Sequence, residues 1–115
     1  MKTIIFENEC NKVTFKIGKN SKENWELLNE NKNHIWFHLS AFPSCYVICC
    51  FENPTDEMIQ FGAELCKENT KYRNLKNLKV SYTPISNLEK GIKEGMVYFK
   101  SNRKVKSIKV WILKF

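Results

Sequence analysis

The sequence predicts a single α+β domain, a mostly antiparallel β-sheet with one main amphipathic helix and a short second helix packed on it. Three observations carry this. Short runs rich in β-branched and aromatic residues recur along the chain, separated by turn-forming residues. Between positions 54 and 69 the pattern changes to a helical period: Met58, Phe61, Gly62, Leu65 and Cys66 fall on one stripe, with Gln60, Glu64, Lys67 and Glu68 expected to face water. The length, 115 residues, suits one domain spanning 1–115. A chain of that size buries about 65% of its unfolded surface, enough for a core without staples.

Each element has a local reason. Thr3-Ile4-Ile5-Phe6 and the alternating Val13, Phe15, Ile17 predict a hairpin of strands near 3–6 and 13–17, turning at Asn8 to Asn11. Gly18-Lys19-Asn20-Ser21 ends the second strand. Asn20 with Glu23 three positions on has the form of a capping box, opening a short helix to about Asn31 with Trp25 and Leu28 inward. Strands at 35–39 and 45–51, joined through Pro43-Ser44, form the expected centre of the sheet. An imidazole at the end of an aromatic strand is costly to bury unpaired, so His38 is expected to face a groove. Asn53 is the expected N-cap of the main helix, with Pro54 in its first turn and Asp56 and Glu57 complementing the dipole. Strands near 78–83, 96–100 and 105–114 complete the sheet. Ser86-Asn87 forms an ordered loop after Pro84, and Ser101 to Lys104 is the expected last hairpin turn. Trp111, Ile112 and Leu113 are expected to be buried or to cover an edge.

The five cysteines, Cys10, Cys45, Cys49, Cys50 and Cys66, are odd in number and lack paired zinc spacing. They read as buried thiols in a reducing, cytoplasmic setting, with no cofactor and no stoichiometric metal. The apolar triplet after Met1-Lys2 is too brief for a signal sequence, and no apolar run reaches the length of a membrane span.

Charge is distributed unevenly. Residues 1–66 carry six Lys/Arg against nine Asp/Glu, a net −3, whereas residues 67–115 carry thirteen against three, a net +10. A basic field of this kind attracts polyanions and speeds their encounter. The residues expected to meet phosphates are Lys79, Lys90, Lys100, Arg103, Lys104 and Lys106, gathered on one side of the sheet, with His38 and the Ser86-Asn87 loop supplying hydrogen bonds beside them. Lys19, in a loop that feeds a helix N-terminus, offers a further ammonium, although the loop lacks P-loop spacing and gives no support for nucleotide hydrolysis. Trp36 and Tyr82 read first as core and second as stacking platforms.

Together these residues carry a resemblance. Ile17-Gly18-Lys19-Asn20 with Asn24 and Leu27-Leu28, then Ile35-Trp36-Phe37-His38, then Val80-Ser81-Tyr82-Thr83-Pro84 with Ser86-Asn87-Leu88-Glu89-Lys90, then Val97, Phe99 and a Lys-Val-Lys run, is similar to the NFACT RNA-binding domain, NFACT-R, over almost the whole chain. The similarity is greatest to the stand-alone eukaryotic-type members. It implies a non-enzymatic module that binds RNA, either tRNA or ribosomal RNA, with DNA as an alternative, and that associates with ribosomes. The peptide-tailing activity of large ribosome quality-control factors does not follow, because their other domains are absent from this sequence.

Two rival classes remain. A protein-interaction adaptor would dock on a ribosome-associated or coiled-coil partner without touching nucleic acid. A metal-dependent enzyme would have to use His34 and His38, which share a strand face but have no third ligand in the sequence.

Overall fold

The computed structural model describes residues 1–110 and has the α+β architecture. Strands β1 (Lys2–Glu7), β2 (Lys12–Ile17), β3 (Ile35–Leu39), β4 (Val47–Cys49), β5 (Leu78–Pro84) and β8 (Lys106–Val110) form an antiparallel sheet in the order β1-β2-β4-β3-β5-β8. A separate antiparallel pair is made by β6 (Leu88–Lys90) and β7 (Val97–Phe99). Helix α1 spans Ser21–Leu27 and α2 spans Asp56–Glu68.

Period-two alternation gives each face of the sheet its own core. Val13, Phe15, Ile17, Ile35, Phe37, Leu39, Val47, Cys49, Leu78 and Val80 point to α2 and meet Met58, Ala63, Leu65 and Cys66. Phe61 packs edge-on between Phe6 and Phe15, with both ring centroids 5.1 Å away. On the opposite face Trp36, Tyr46 and Ile48 meet Leu27 and Leu28 at the end of α1, together with Ile85 and Leu88. The β3–β4 pair is central, as its composition predicts.

Four local expectations are corrected. The N-cap of α2 is Thr55, whose Oγ1 accepts from the Met58 N–H at 3.2 Å; Asn53 and Pro54 lie before it. Lys67 is buried instead of facing water, its ammonium donating to the Arg73 carbonyl in the segment that follows the helix. Strand β4 is shorter than 45–51, since the Tyr46 N–H leaves the ladder to donate to Asn24 Oδ1 at 3.1 Å. Residues 101–104 are not a hairpin turn: β7 pairs with β6 and β8 with β5, so this segment crosses from the small sheet to the edge of the large one. The strand expected at 105–114 is described only to Val110, and the expectations for Trp111, Ile112 and Leu113 lie outside the described residues.

The crossover is fixed by one buried side chain. Asn87 Nδ2 donates to Ser101 O at 2.9 Å and to Thr83 Oγ1 at 3.1 Å, and its Oδ1 accepts from the Ser101 N–H at 2.9 Å. Thr83 in turn donates to Lys104 O at 2.9 Å. Gly95 turns the chain into β7 with φ +90°, a left-handed conformation that glycine adopts without steric cost.

Candidate nucleic-acid interface

The face of the sheet that carries Trp36 is roofed over only part of its area. Toward β8 it becomes polar and open. Register places His38 opposite Ser81 and Ser81 opposite Ser107, and in the next row places Lys79 opposite Lys109. Ser40 continues the line of His38, its N–H donating to Lys79 O at 2.9 Å and its hydroxyl lying 2.7 Å from the Ser81 hydroxyl. Ser40, Lys79, Ser107 and Lys109 are exposed, while His38 and Ser81 are half-buried. The register thus brings two lysines side by side at the open end of this face.

Beside this polar grid lies a groove of about 450 Å³, walled by Trp36, His38, Tyr46, Ser81, Met96 and Phe99 among others. His38 is ordered within it. Its Nδ1 lies 2.7 Å from the Leu39 carbonyl, which can only accept, so Nδ1 carries the proton and Nε2 is left as an acceptor. Burial holds the imidazole below its ordinary pKa, against the opposing pull of the Leu39 carbonyl, so the neutral ring is favoured. The Tyr46 hydroxyl donates to the Gly95 carbonyl, and burial pushes its pKa up to about 12. Phe99 stands edge-on to Trp36 at 5.7 Å and is 38% exposed, presenting ring surface at the rim.

The residues expected to form one basic surface do not gather on one side. Lys79 lies on the His38 face. Lys106 is opposite Tyr82, whose alternation puts both on the α2 side, where Arg103, Lys104 and Lys106 border a cavity of about 520 Å³ with Glu52, Ile59 and Tyr82. Lys100 follows β7 and is exposed, its N–H donating to the Asn87 carbonyl at 2.8 Å. The Lys90 ammonium sits 5.2 Å from the centre of the Trp25 ring, a cation–π contact at the end of β6. Lys19 lies on a third surface, in a cavity with Lys2 and Lys71. Ser86 is exposed, but Asn87 is 3% exposed and its amide is fully engaged within the fold, so it positions the basic crossover instead of reaching a ligand. Trp36 and Phe37 are buried, and Tyr82 stacks on Phe37 at 5.7 Å, which makes Tyr82 part of the packed α2 face.

Ser40, Ser107, Lys109, Tyr46 and Phe99 enter the site although none was among the residues expected to bind nucleic acid. The signal for three of them is parity: positions 38 and 40, 79 and 81, and 107 and 109 are each two apart and share a face once the strands are paired. Phe99 carries no such signal, because its strand belongs to the other sheet.

No family model matches the sequence, and no curated protein matches it. The fold is similar to a solved structure, the C-terminal part of the fibronectin/fibrinogen-binding protein from Streptococcus suis, with a TM-score of 0.82 and 27% identity. The alignment covers 96% of this chain and 45% of that one, so the chain spans less than half the length of its structural relative. Among the described residues no helix is long and apolar enough to cross a membrane.

Proposed function

We propose that this protein is a non-enzymatic nucleic-acid-binding module that holds RNA on the open, polar part of the sheet. The observation that carries the proposal is the two-row grid of His38, Ser81 and Ser107 beside Ser40, Lys79 and Lys109, adjoining an aromatic-walled groove. Lysines supply phosphate neutralisation, hydroxyls and the free nitrogen of His38 suit 2′-hydroxyl and phosphate oxygens, and the ring faces at the rim suit bases. Along β5, Lys79 and Ser81 are two residues apart and share this face, about 7 Å from each other along the strand, while the next residue on the face, Thr83, is buried and holds the Lys104 carbonyl. The +10 balance of residues 67–115 supports the same reading, as does the resemblance to NFACT-R. tRNA and ribosomal RNA are the RNA classes that resemblance favours, with DNA as the alternative.

A second reading is favoured by one specific observation. The structural relative is named for binding fibronectin and fibrinogen, and here Ile92, Met96, Tyr98 and Phe99 expose apolar surface around β7, as a protein-docking patch would. Titration of single-stranded RNA, tRNA and duplex DNA across a salt series separates the two. RNA binding that weakens steeply with salt, and whose slope falls in Lys79→Glu/Lys109→Glu by about 0.7–0.9 per lost phosphate contact, is the expected result. Absence of salt-dependent binding to all three would overturn the proposal and leave the adaptor.

A further inference from the structure

We propose that Glu30, His34 and Cys50 form a binding site for a divalent transition-metal ion of the zinc class, with solvent completing the coordination. A carboxylate oxygen, an imidazole nitrogen and a sulfur from these residues all lie within 4.8 Å of one another. They come from three places in the fold: Glu30 after α1, His34 just before β3 and Cys50 just after β4. Sequence spacing could not reveal them as a set. All three are half-buried, which leaves room for a solvent ligand without dispersing the donors into bulk water.

His34 supplies the second observation. Its Nδ1 is buried and has no hydrogen-bond partner among the described residues. A buried polar atom left unpaired is costly, and the same imidazole contributes a nitrogen to the cluster. Mixed nitrogen, oxygen and sulfur donors select zinc-like ions over calcium or magnesium, which take oxygen alone. Around a tetrahedral zinc the donor atoms stand about 3.3–3.8 Å apart, so this cluster needs to close by at most about 1–1.5 Å, within the reach of side-chain rotation.

The competitor is Lys16. Its ammonium donates to Glu30 Oε2 at 2.9 Å and occupies the position of countercharge that the metal would share. Removing the ammonium should strengthen metal binding. Burial raises the Cys50 pKa and the Glu30 charge raises it further, with Lys16 opposing. The bond that forms is sulfur to metal, and the bond that breaks is sulfur to hydrogen. One proton leaves for solvent per ion bound, so affinity rises with pH. No residue of the groove takes part, so the metal site is separate from the nucleic-acid surface.

Cobalt(II) titration of the whole chain tests it. The expected result is a near-ultraviolet thiolate-to-cobalt band with strong visible absorption, saturating at one ion per chain and displaced by zinc. His34→Gln and Cys50→Ser should weaken binding at least about tenfold, whereas Cys10→Ser and Cys45→Ser should leave it unchanged and Lys16→Met should tighten it. Zinc added to the wild type should shift the His34 ring resonances and spare those of His38, a readout that needs no variant to fold. Absence of a saturable band, a band that survives Cys50→Ser in a folded variant, or unmoved His34 resonances would overturn the site.

Discussion

The imidazole of His38 lies parallel to the indole of Trp36, with ring centroids 5.5 Å apart and planes 3° from each other. Stacking on a buried indole and donating to the Leu39 carbonyl fix the ring's plane and tautomer together. The groove therefore presents an oriented acceptor on a rigid strand.

A pH dependence follows from that environment. Because burial lowers the folded-state pKa of His38, the unfolded chain takes up this proton first as pH falls. The contribution to stability is complete above the unfolded pKa of about 6.5 and is lost as pH drops from there toward the folded value. The His38 ring resonances should titrate with a midpoint below 6.5, and the loss of stability below that pH should be shallower in His38→Gln. A midpoint at or above the ordinary value would contradict the assignment.

Asn87→Ala should destabilise the domain by about 2–4 kcal/mol, since it leaves the Ser101 N–H and carbonyl and the Thr83 hydroxyl without this partner. Denaturant unfolding measures this. Hydrogen exchange should also show faster loss of protection at Ser101 than in the centre of the sheet.

Gly62→Ala tests the fit of α2 to the sheet. A Cβ at Gly62 would lie 2.6 Å from the nearest atom of the Phe37 ring, which is fully buried and stacked on Tyr82. The overpacking cost of about 1–3 kcal/mol exceeds or cancels the gain of about 1 kcal/mol in helix propensity. A net loss of about 1 kcal/mol in thermal or denaturant unfolding is expected, whereas a more stable variant would show that the ring yields easily.

How much of this was legible in advance depended on the distance over which each signal acts. The stripe Met58, Phe61, Leu65 and the alternation Val13, Phe15, Ile17 are local periodicities, and both survived folding as read. The Asn20–Glu23 cap also held in its main contact, with Glu23 N–H donating to Asn20 Oδ1 at 2.9 Å, although the Glu23 carboxylate accepts from Lys19 instead. What failed was non-local. Whether β7 pairs with β6 or β8 is decided by Asn87 gripping Ser101, fourteen positions away, and nothing in either segment alone announces it. The basic surface failed for a related reason: Lys79 and Lys106 belong to one adjacent strand pair, yet a register that sets Tyr82 against Lys106 sends them to opposite faces.

That separation makes the two basic surfaces experimentally distinct. Replacing Arg103, Lys104 and Lys106 together with Glu should reduce RNA affinity less than Lys79→Glu/Lys109→Glu, because Glu52 shares the cavity those three residues border and the groove opens on the other face. Equal losses in the salt slope would instead mean that the nucleic acid wraps around the β8 edge.

Phe99→Ala addresses whether bases, and not only phosphates, are held. Phe99 is exposed at the rim, edge-on to Trp36, and follows a segment whose Met96 carbonyl accepts from the Trp25 indole at 3.0 Å, so its removal leaves the buried aromatic cluster supported by α1. A base stacked on such a ring contributes about 1–3 kcal/mol, or roughly 5- to 150-fold in affinity. Single-stranded RNA should therefore lose affinity by at least about fivefold at constant salt, while its salt slope stays the same because no phosphate contact is removed. Duplex DNA, whose bases are already stacked, should bind the variant and the wild type alike. An equal loss for both nucleic acids would place the role of Phe99 in packing the small sheet, and a change in slope would mean that the lysine rows had moved with it.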